Sequence, residues 1–442
     1  SSSSDRAWPN PTYAWYVVAM LVLAYSFAIL DRAVIGLLVE PIKADFGITD
    51  AQIGLLQGLA FALCYTTFGL VLGSVADRAN RQFLLVLGVA VWSLSTVLCG
   101  FAPDFKWLFI ARIGVGLGEA CILPVAGSLI SDYFAPTQRP KAYGIFLLGG
   151  TFGTVGGYVL GTIAILTADA VRGMFPALLG GLQNWQVTFF LAGAPGLIVA
   201  ALILLTVREP DRREKISNPD ASNFRHFLAH LRANAWAYSS LLAGTVLNVT
   251  GIYAQIAWGI TLVIRVHGWT AAETGTAFAL IAPIGAVSSI VVGWFVAALV
   301  KRGHIDAPMI AAMMHSVTLL IFGPLACLAP TPLWGLWPYI GFNIFTNWSS
   351  ASALMALSQI TPNELRGQAT ALYTLLTGLV SLTVGSYSVG FLTDHVFTDP
   401  HGIATGLATV FAVVGVLATV ILGLGRGAFR AAVLRAEAWQ KS

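Results

Sequence analysis

The sequence predicts an all-α membrane protein with twelve transmembrane helices in two pseudo-symmetric bundles of six. Hydrophobic residues make up 57% of the 442 positions and charged residues only 10%, and long apolar runs recur along the whole chain. Soluble domains are about 45–50% apolar and about 25% charged. Because so few charges cannot cover a water-exposed surface, the composition excludes an ordinary soluble protein. The net charge of +4 gives no reason to expect a nucleic-acid partner.

Each apolar run is long enough to cross a bilayer, which takes about 20 helical residues. The first six runs cover residues 13–38, 50–73, 82–101, 105–130, 142–167 and 185–207. The second six cover residues 236–265, 274–300, 307–329, 333–360, 367–392 and 402–425. The chain therefore divides into an N-terminal bundle over residues 1–207, a linker over residues 208–235, and a C-terminal bundle and tail over residues 236–442.

The linker is the one long polar stretch. Its first part contains Pro210 and Pro219 among polar residues and is typical of a flexible segment. Its second part has four apolar residues at the i, i+3, i+4 and i+7 positions of a helix, namely Phe224, Phe227, Leu228 and Leu231. This spacing predicts an amphipathic helix on the cytoplasmic membrane interface, with a partly ordered loop as the alternative.

The distribution of Lys and Arg predicts the orientation of the chain. With the N-terminus inside, 18 basic residues lie in inner segments, and four lie outside, namely Lys43, Lys106, Arg172 and Arg265. The positive-inside rule therefore places both termini in the cytoplasm. The outer loops are short, and both glycosylation sequons lie within apolar runs, which favours a bacterial inner membrane.

Two loops support a duplicated architecture. Residues 136–142 (PTQRPKA), after the fourth run, resemble residues 362–369 (PNELRGQA), after the tenth. Both loops connect the fourth and fifth helices of their half, as expected of internal repeats in a transporter fold. The helix after the first loop is rich in glycine, which favours close packing against a neighbouring helix.

Four charged residues lie deep within the apolar runs, away from the ends of the runs, and all are in the first half: Asp31, Arg32, Arg112 and Glu119. Such residues are costly in a bilayer and mark functional sites. At about 1.5 Å per residue, Asp31 lies roughly 27 Å along the outward first helix, and Arg112 roughly 10 Å along the inward fourth helix. The two therefore share a depth, which predicts an ion pair. Glu119 follows Arg112 by two turns on the same helix face, near the midplane. A purely structural network is the alternative.

The second half has no deep acidic residue and supplies neutral polar and aromatic groups instead. The candidates for substrate binding there are Asn248, Gln255, Trp258, Asn343, Asn347 and Tyr373. Such a wall suits a partly apolar ligand. For each residue taken singly, the alternative is a hydrogen bond between helices. No metal-ligand spacing or nucleophile motif is visible, so we expect neither an enzyme nor a bound metal or cofactor.

Two motifs carry a family resemblance. Residues 73–81 (GSVADRANR) are similar to the G-x-x-x-D-R-x-x-R signature of the major facilitator superfamily. The corresponding stretch of the second half, residues 293–302, has Ala297 where the acid would stand. On the fourth run, residues 108–120 match the L-x-x-x-R-x-x-x-G-x-G-x-A pattern of the same superfamily, with Glu119 as a departure. Together with the Asp31-Arg32 pair, this departure resembles the Spinster family of lysolipid and sphingolipid transporters.

The resemblance implies a proton-linked secondary transporter that moves amphiphiles such as lysophospholipids or sphingosine 1-phosphate by alternating access. It implies proton coupling at Asp31, Arg32, Arg112 and Glu119, and the last three of these are also candidates for substrate binding. It further implies gating by Gly73, Asp77, Arg78 and Arg81. We expect a monomer whose partners are the lipid substrate, protons and membrane lipids. A small-molecule or multidrug carrier of the same superfamily is the alternative.

Overall fold

The computed structural model describes residues 8–76, 79–212, 221–399 and 401–441, which are almost entirely helical and contain no strand. Within these ranges, eleven helical stretches are long and apolar enough to cross a membrane. The remaining predicted run, residues 333–360, is present as two consecutive shorter helices. The predicted all-α membrane fold is therefore confirmed.

The helices of the N-terminal half are α1 (Pro11–Leu37), α2 (Val39–Phe46), α3 (Asp50–Gln57), α4 (Leu59–Ala76), α5 (Arg81–Gly100), α6 (Phe105–Glu119), α7 (Ile122–Tyr133), α8 (Arg139–Met174), α9 (Pro176–Leu179) and α10 (Asn184–Thr206). The helix of the linker is α11 (Ala221–Ala233). The helices of the C-terminal half are α12 (Ala235–His267), α13 (Ala271–Lys301), α14 (Ala307–Cys327), α15 (Pro332–Phe345), α16 (Trp348–Ile360), α17 (Arg366–Leu375), α18 (Leu382–His395) and α19 (Gly402–Lys441). A π-helical turn, Leu376–Ser381, joins α17 to α18.

The chain forms two compact units, which we describe separately. The first comprises Ser1–Ile48, Leu59–Ser217 and Thr270–Leu280. The second comprises Thr49–Gly58, Asn218–Trp269 and Ile281–Ser442. The units follow the two halves of the chain except that each half contributes one short segment to the other unit. The division into domains at residues 207 and 235 stays a prediction.

Glycines of α8 bring it close to α1 in the first unit. A Cβ atom on Gly153 would lie 2.4 Å from the carbonyl oxygen of Ser26, and one on Gly157 would lie 2.6 Å from the Cβ of Ala33. Neither position leaves room for a side chain, so the two helices meet backbone to backbone. The contact fixes the part of α1 that carries Asp31 and Arg32. The glycine-rich helix is therefore a packing helix, as the sequence predicted.

The second apolar run is broken at Gly58 into α3 and α4. In the second unit, the Asp50 carboxylate receives two hydrogen bonds from Arg265, at 2.6 and 2.9 Å. Asp394 accepts hydrogen bonds from the backbone N–H groups of Asp50 and Ala51, at 3.1 and 2.7 Å. A carboxylate on α18 therefore caps the start of α3, where unpaired N–H groups favour a negative charge.

The tenth apolar run is interrupted between α15 and α16. Asn347 lies at the interruption, and its side-chain amide donates to the carbonyl oxygen of Gly285 on α13 at 2.6 Å. The predicted run is therefore present as two helices of 14 and 13 residues that meet where a side chain bonds to α13.

The amphipathic helix predicted in the linker is present as α11. Phe227 is buried in the core of the second unit, whereas Arg225 and Leu228 are exposed. His230 lies 2.9 Å from the carbonyl oxygen of Ile360 and packs edge-on against Tyr238. Part of the apolar face that we expected at the membrane interface therefore contacts the protein.

The two loops that resemble each other in sequence also share a hydrogen bond. In the first unit, Arg139 Nε donates to the carbonyl oxygen of Phe134 at 3.1 Å. In the second unit, Arg366 Nε donates to the carbonyl oxygen of Thr361 at 3.2 Å. In both cases the acceptor is five residues before the arginine, at the end of the preceding helix. The loops are thus structural counterparts, as the sequence repeat predicted.

A buried carboxylate that the sequence repeat did not indicate lies just before α14. Asp306 is fully buried and pairs with Arg426 at 2.6 Å and with Arg430 at 3.0 Å. Burial alone would raise the pKa of Asp306, but the hydrogen bonds and charges of the two arginines outweigh burial and lower it.

The Asp306 cluster predicts a pH dependence of stability. A carboxyl group whose pKa is lower in the folded than in the unfolded state stabilises the fold above its unfolded pKa, and this contribution is lost as the pH falls through the folded pKa. We therefore expect the unfolding temperature of the wild type to fall below about pH 4. Asp306→Asn should be less stable at pH 7 and lose less on acidification. Scanning fluorimetry in detergent measures both. Glu364→Gln, at an exposed carboxylate, is the control, and equal acid sensitivity of all three proteins would contradict the prediction.

Candidate functional site

The first unit buries an ion pair between α1 and α6. An Nη atom of Arg112 donates to one carboxylate oxygen of Asp31, and Thr96 on α5 donates to the other at 2.9 Å. Asp31 is 2% exposed and Arg112 is 1% exposed. Breaking such a pair from one side leaves a buried charge uncompensated, at a cost of about 3–5 kcal/mol. The predicted pairing of Asp31 with Arg112 is thus present.

A second ion pair joins the same two helices. Arg32 donates to one oxygen of Glu119 through Nε at 3.0 Å and through Nη2 at 2.6 Å. The guanidinium carbon lies 4.1 Å from the ring centroid of Phe61 and 4.8 Å from that of Tyr65. Both distances are within the range of cation–π attraction. Two aromatic rings of α4 therefore hold the cation against its carboxylate.

The two pairs differ in their access to solvent. The side chain of Arg32 is 23% exposed, whereas that of Glu119 is 1% exposed. Within the ranges that the structure describes, Glu119 Oε1 and Arg112 Nε are buried without a hydrogen-bond partner. A carboxylate oxygen without a partner can accept a proton or a hydrogen bond from a further donor. Arg32 is thus the more solvent-accessible member of its pair, and Glu119 keeps one buried oxygen without a donor among the described residues.

Two glycines of α6 allow the charged residues to approach neighbouring helices. A Cβ atom on Gly116 would lie 2.4 Å from the carbonyl oxygen of Phe61, and one on Gly118 would lie 2.4 Å from the backbone nitrogen of Trp92. α4 and α5 can therefore pack directly against the backbone of α6. Helix α6 ends at Glu119, immediately after these contacts. Gly116 and Gly118, the glycines of the pattern in residues 108–120, therefore position the carboxylate of Glu119, which departs from that pattern.

Six residues of the second half were predicted to bind substrate, and they lie in the second unit, where two of them, Asn248 and Trp258, make contacts between helices. Asn248 is fully buried, donates to Ala312 O and Ser349 Oγ at 3.0 and 3.1 Å, and accepts from Ser316 at 2.8 Å. The indole of Trp258 donates to the carbonyl oxygen of Ser386 at 2.7 Å. These contacts meet the hydrogen-bonding needs of both side chains.

The other four candidates in the second half occupy varied positions. The amide of Asn343 donates within its own helix, to Tyr339 O at 2.9 Å, and that of Asn347 donates to Gly285 O as described above. Gln255 is buried in α12, and Tyr373 is buried in an apolar cluster with Tyr238 and Phe429. The substrate-binding role of all six residues stays a prediction.

Of the predicted gating residues, Arg81 is the best defined. It is 1% exposed and pairs with Asp132 on α7 and with Glu209, whose carboxylate lies 2.7 Å from Nε. Glu209 also accepts from the backbone N–H groups of Arg81 and Gln82, at 2.8 and 3.0 Å, so it caps α5. Gly73 lies in the last turn of α4. Asp77 and Arg78 lie outside the described residues. The gating role stays a prediction for all four.

Sequence reasoning missed three residues of the charged site. Phe61 and Tyr65 stand four residues apart on α4, a spacing that places both rings on one helix face and could have been read as a pair. Thr96 had no distinguishing signal, because a single threonine in an apolar run usually bonds its own helix. The pairing of Arg32 with Glu119 was equally invisible, since it depends on which faces of α1 and α6 meet.

The sequence was compared with models of known protein families. The model of the Major Facilitator Superfamily matches residues 21–386. The chain belongs to the major facilitator superfamily. Transporters of this superfamily share the two-bundle fold described above, and the match includes the buried charges of α1 and α6.

Individual relatives confirm the resemblance to the Spinster family within the superfamily. The Drosophila melanogaster protein spinster is 25% identical over 425 residues, which cover 91% of this chain and 66% of that protein. Human protein spinster homolog 1 is 30% identical over 264 residues, or 58% of this chain and 47% of that protein. The chain thus spans about half to two thirds of these relatives. An MFS-type efflux pump of Mycolicibacterium smegmatis is 25% identical over 91% of this chain and 90% of its own length.

Solved structures support the same placement. A bacterial homologue of the human lysosomal transporter Spinster, in an inward-facing and unoccupied conformation, superimposes with a TM-score of 0.81. The identity is 25%, and the match covers 97% of this chain and 98% of that one. A D-xylose–proton symporter superimposes with a TM-score of 0.70 at 17% identity, which shows a shared fold.

Proposed function

We propose that this major facilitator protein is a proton-linked secondary transporter of lysophospholipid or sphingolipid-like amphiphiles that works by alternating access. The observation that carries the proposal is the pair of buried ion pairs, Asp31–Arg112 and Arg32–Glu119, side by side on α1 and α6. Four ionisable residues in the hydrocarbon region are expensive, and a transporter uses such residues to bind and move charge. The Spinster relatives support the lipid class of substrate.

The chemistry of the second pair links a proton to an anion. A phosphate group binds a guanidinium through two parallel hydrogen bonds, the same donors that Arg32 directs at Glu119. Substrate and Glu119 therefore compete for Arg32. A proton on Glu119 removes its charge and leaves Arg32 to the phosphate, so that proton and substrate occupancy become coupled. The aromatic rings of Phe61 and Tyr65 retain the cation while its partner changes.

The first pair offers a second place for a proton. Asp31 pairs with Arg112 and accepts a hydrogen bond from the Thr96 hydroxyl. A conformation that hydrates or separates the pair exposes Asp31 to a proton, and a proton on Asp31 frees Arg112. We propose that the protein lies in a bacterial inner membrane with both termini in the cytoplasm, because of the distribution of Lys and Arg. We also propose that the working unit is a monomer.

Proteoliposome counterflow tests the substrate class. Proteoliposomes preloaded with unlabelled lysophosphatidate should exchange it for labelled lysophosphatidate. They should not take up labelled monoacylglycerol, which lacks the phosphate. Arg32→Gln should reduce this exchange about tenfold or more, because a hydrogen bond to a charged group contributes about 1.5–3 kcal/mol. Arg172→Gln, at a partly exposed arginine near the end of α8, is the matched control.

A second candidate function follows from the Mycolicibacterium smegmatis pump, which is aligned over nearly its whole length. A drug carrier would exchange an organic-cation dye and ignore lysophosphatidate. Exchange of the dye alone by the wild type would overturn the lipid proposal. Equal exchange of lysophosphatidate by wild type and Arg32→Gln would overturn the role of Arg32.

A further inference from the structure

A cavity of about 360 Å³ lies in the second unit. Its apolar wall is formed by Val300 at the end of α13, by Ile305 in the loop before α14, and by Val433 on α19. Ser358, Gln359 and Arg366 form its polar wall. Spanning stretches end at Lys301 and begin at Arg366, so the cavity lies at the boundary of the membrane, at the level of lipid headgroups. No residue that we assigned to transport lines it.

The cavity presents a fixed guanidinium. The hydrogen bond from Arg366 Nε to Thr361 O orients the group, and the two terminal nitrogens have no partner in the described parts of the chain. Two parallel N–H groups of an arginine match two oxygens of a phosphate. The partly buried position of Arg366 lowers the competition from water and strengthens its interaction with an anion.

A second polar side chain faces the same space without a partner. Gln359 Oε1 is buried and makes no hydrogen bond among the described residues. The oxygen and nitrogen of an amide exchange places by a half-turn, so this position can equally present an N–H donor. A buried amide without a partner costs free energy unless a ligand or water completes it. Ser358 already donates to Met355 O at 2.7 Å, and its oxygen can accept a further bond.

The charges near the cavity favour an anion. Exposed Lys301 and Arg302 follow Val300, and exposed Glu364 precedes Arg366. Asp306, next to Ile305, is fully buried and already bound by two arginines of α19. Among the side chains that the structure describes on these segments, Lys301, Arg302 and Arg366 outnumber the one exposed carboxylate, Glu364, which favours a positive local potential. The volume lies within the range of small-ligand sites, about 300–1,000 Å³.

We propose that this cavity binds the phosphate group of an anionic phospholipid, with Arg366 and Gln359 as the ligands of the phosphate. The wall of Val300, Ile305 and Val433 contacts the glycerol and the first carbons of the acyl chains. The site is independent of the transported substrate and of the charges in the first unit. Free inorganic phosphate has the same recognised chemistry and is distinguished from the lipid by the experiment.

Native mass spectrometry of the full-length protein in detergent, titrated with phosphatidylglycerol, tests the proposal. We expect the wild type to retain phosphatidylglycerol at least tenfold more tightly than phosphatidylcholine. Arg366→Gln should lose this preference. Arg139→Gln removes the equivalent loop hydrogen bond in the first unit and should keep the preference, so it controls for loss of that bond. Val300→Trp fills the cavity from an exposed position and should lose phosphatidylglycerol even if Arg366→Gln does not fold.

The outcomes separate the sources of phosphate. Displacement of phosphatidylglycerol by millimolar inorganic phosphate supports the phosphate as the recognised group. Retention of inorganic phosphate with no preference for phosphatidylglycerol would overturn the lipid assignment. Equal retention of phosphatidylglycerol by the wild type, Arg366→Gln and Val300→Trp would overturn the site itself.

Discussion

Replacing Arg112 by alanine should abolish transport and lower the free energy of unfolding by about 3–5 kcal/mol. The substitution leaves Asp31 buried at 2% exposure with one neutral donor, Thr96, and no cation. Chemical unfolding in detergent measures the stability, and flux at matched protein amount measures transport.

A double variant separates the unpaired charge from the lost contacts. Asp31→Asn combined with Arg112→Gln replaces both charges by neutral groups of similar size, and we expect it to recover most of the lost stability. Such recovery is the signature of an interaction between the two positions. Thr96→Val, which removes one hydrogen bond to Asp31 and no charge, is the control and should cost about 1–3 kcal/mol. A double variant no more stable than Arg112→Ala would contradict the ion-pair explanation.

Replacing Asp31 by asparagine should uncouple transport from the pH gradient without abolishing exchange. Asparagine has nearly the shape of aspartic acid and imitates its protonated form, so Arg112 is permanently released from an anionic partner. We expect substrate-for-substrate exchange to persist and acceleration by an imposed pH gradient to disappear. Proteoliposome uptake with and without a gradient, at several pH values, gives both quantities for wild type and variant.

A companion variant and a stability control make this result specific. Glu119→Gln removes the second protonation site and should lower flux and alter its pH profile while the protein stays folded. If the four charges serve only to hold helices together, all variants lose stability in parallel and the surviving activity keeps the pH response of the wild type. A gradient response of Asp31→Asn equal to that of the wild type would refute the proton-coupling role.

The helical segments and the fold class were predictable because each depends on local sequence. A run of about 20 apolar residues has few stable alternatives to a spanning helix, since its backbone groups must be satisfied within the segment. The structure differs in places where a side chain or a glycine acts across helices. Gly58 lies between α3 and α4, Asn347 lies between α15 and α16 and donates to α13, and Phe227 packs α11 into the core of the second unit.

The candidate site was predictable in part. The cost of burying charge identified its four residues, and the rise per residue matched Asp31 to Arg112, because both arguments use depth alone. The partner of Arg32 was not predictable, because depth does not tell which face of a helix meets which neighbour. Glycine contacts on α6 and α8 decide those faces, through backbone approaches at single positions. Asp306 was missed for the same reason, since its arginines lie about 120 residues away in the chain.

Composition, hydrophobic periodicity and the spacing of charges by themselves determined that this protein is helical, spans a membrane and carries ionisable groups in its first half. Only the tertiary structure decided that Glu119 belongs to Arg32, that Thr96, Phe61 and Tyr65 complete the charged site, and that Arg366 opens on a cavity. The physical reason is range. Burial and helix formation depend on neighbouring residues, whereas hydrogen bonds and ion pairs depend on which distant side chains the packed helices bring within about 3 Å.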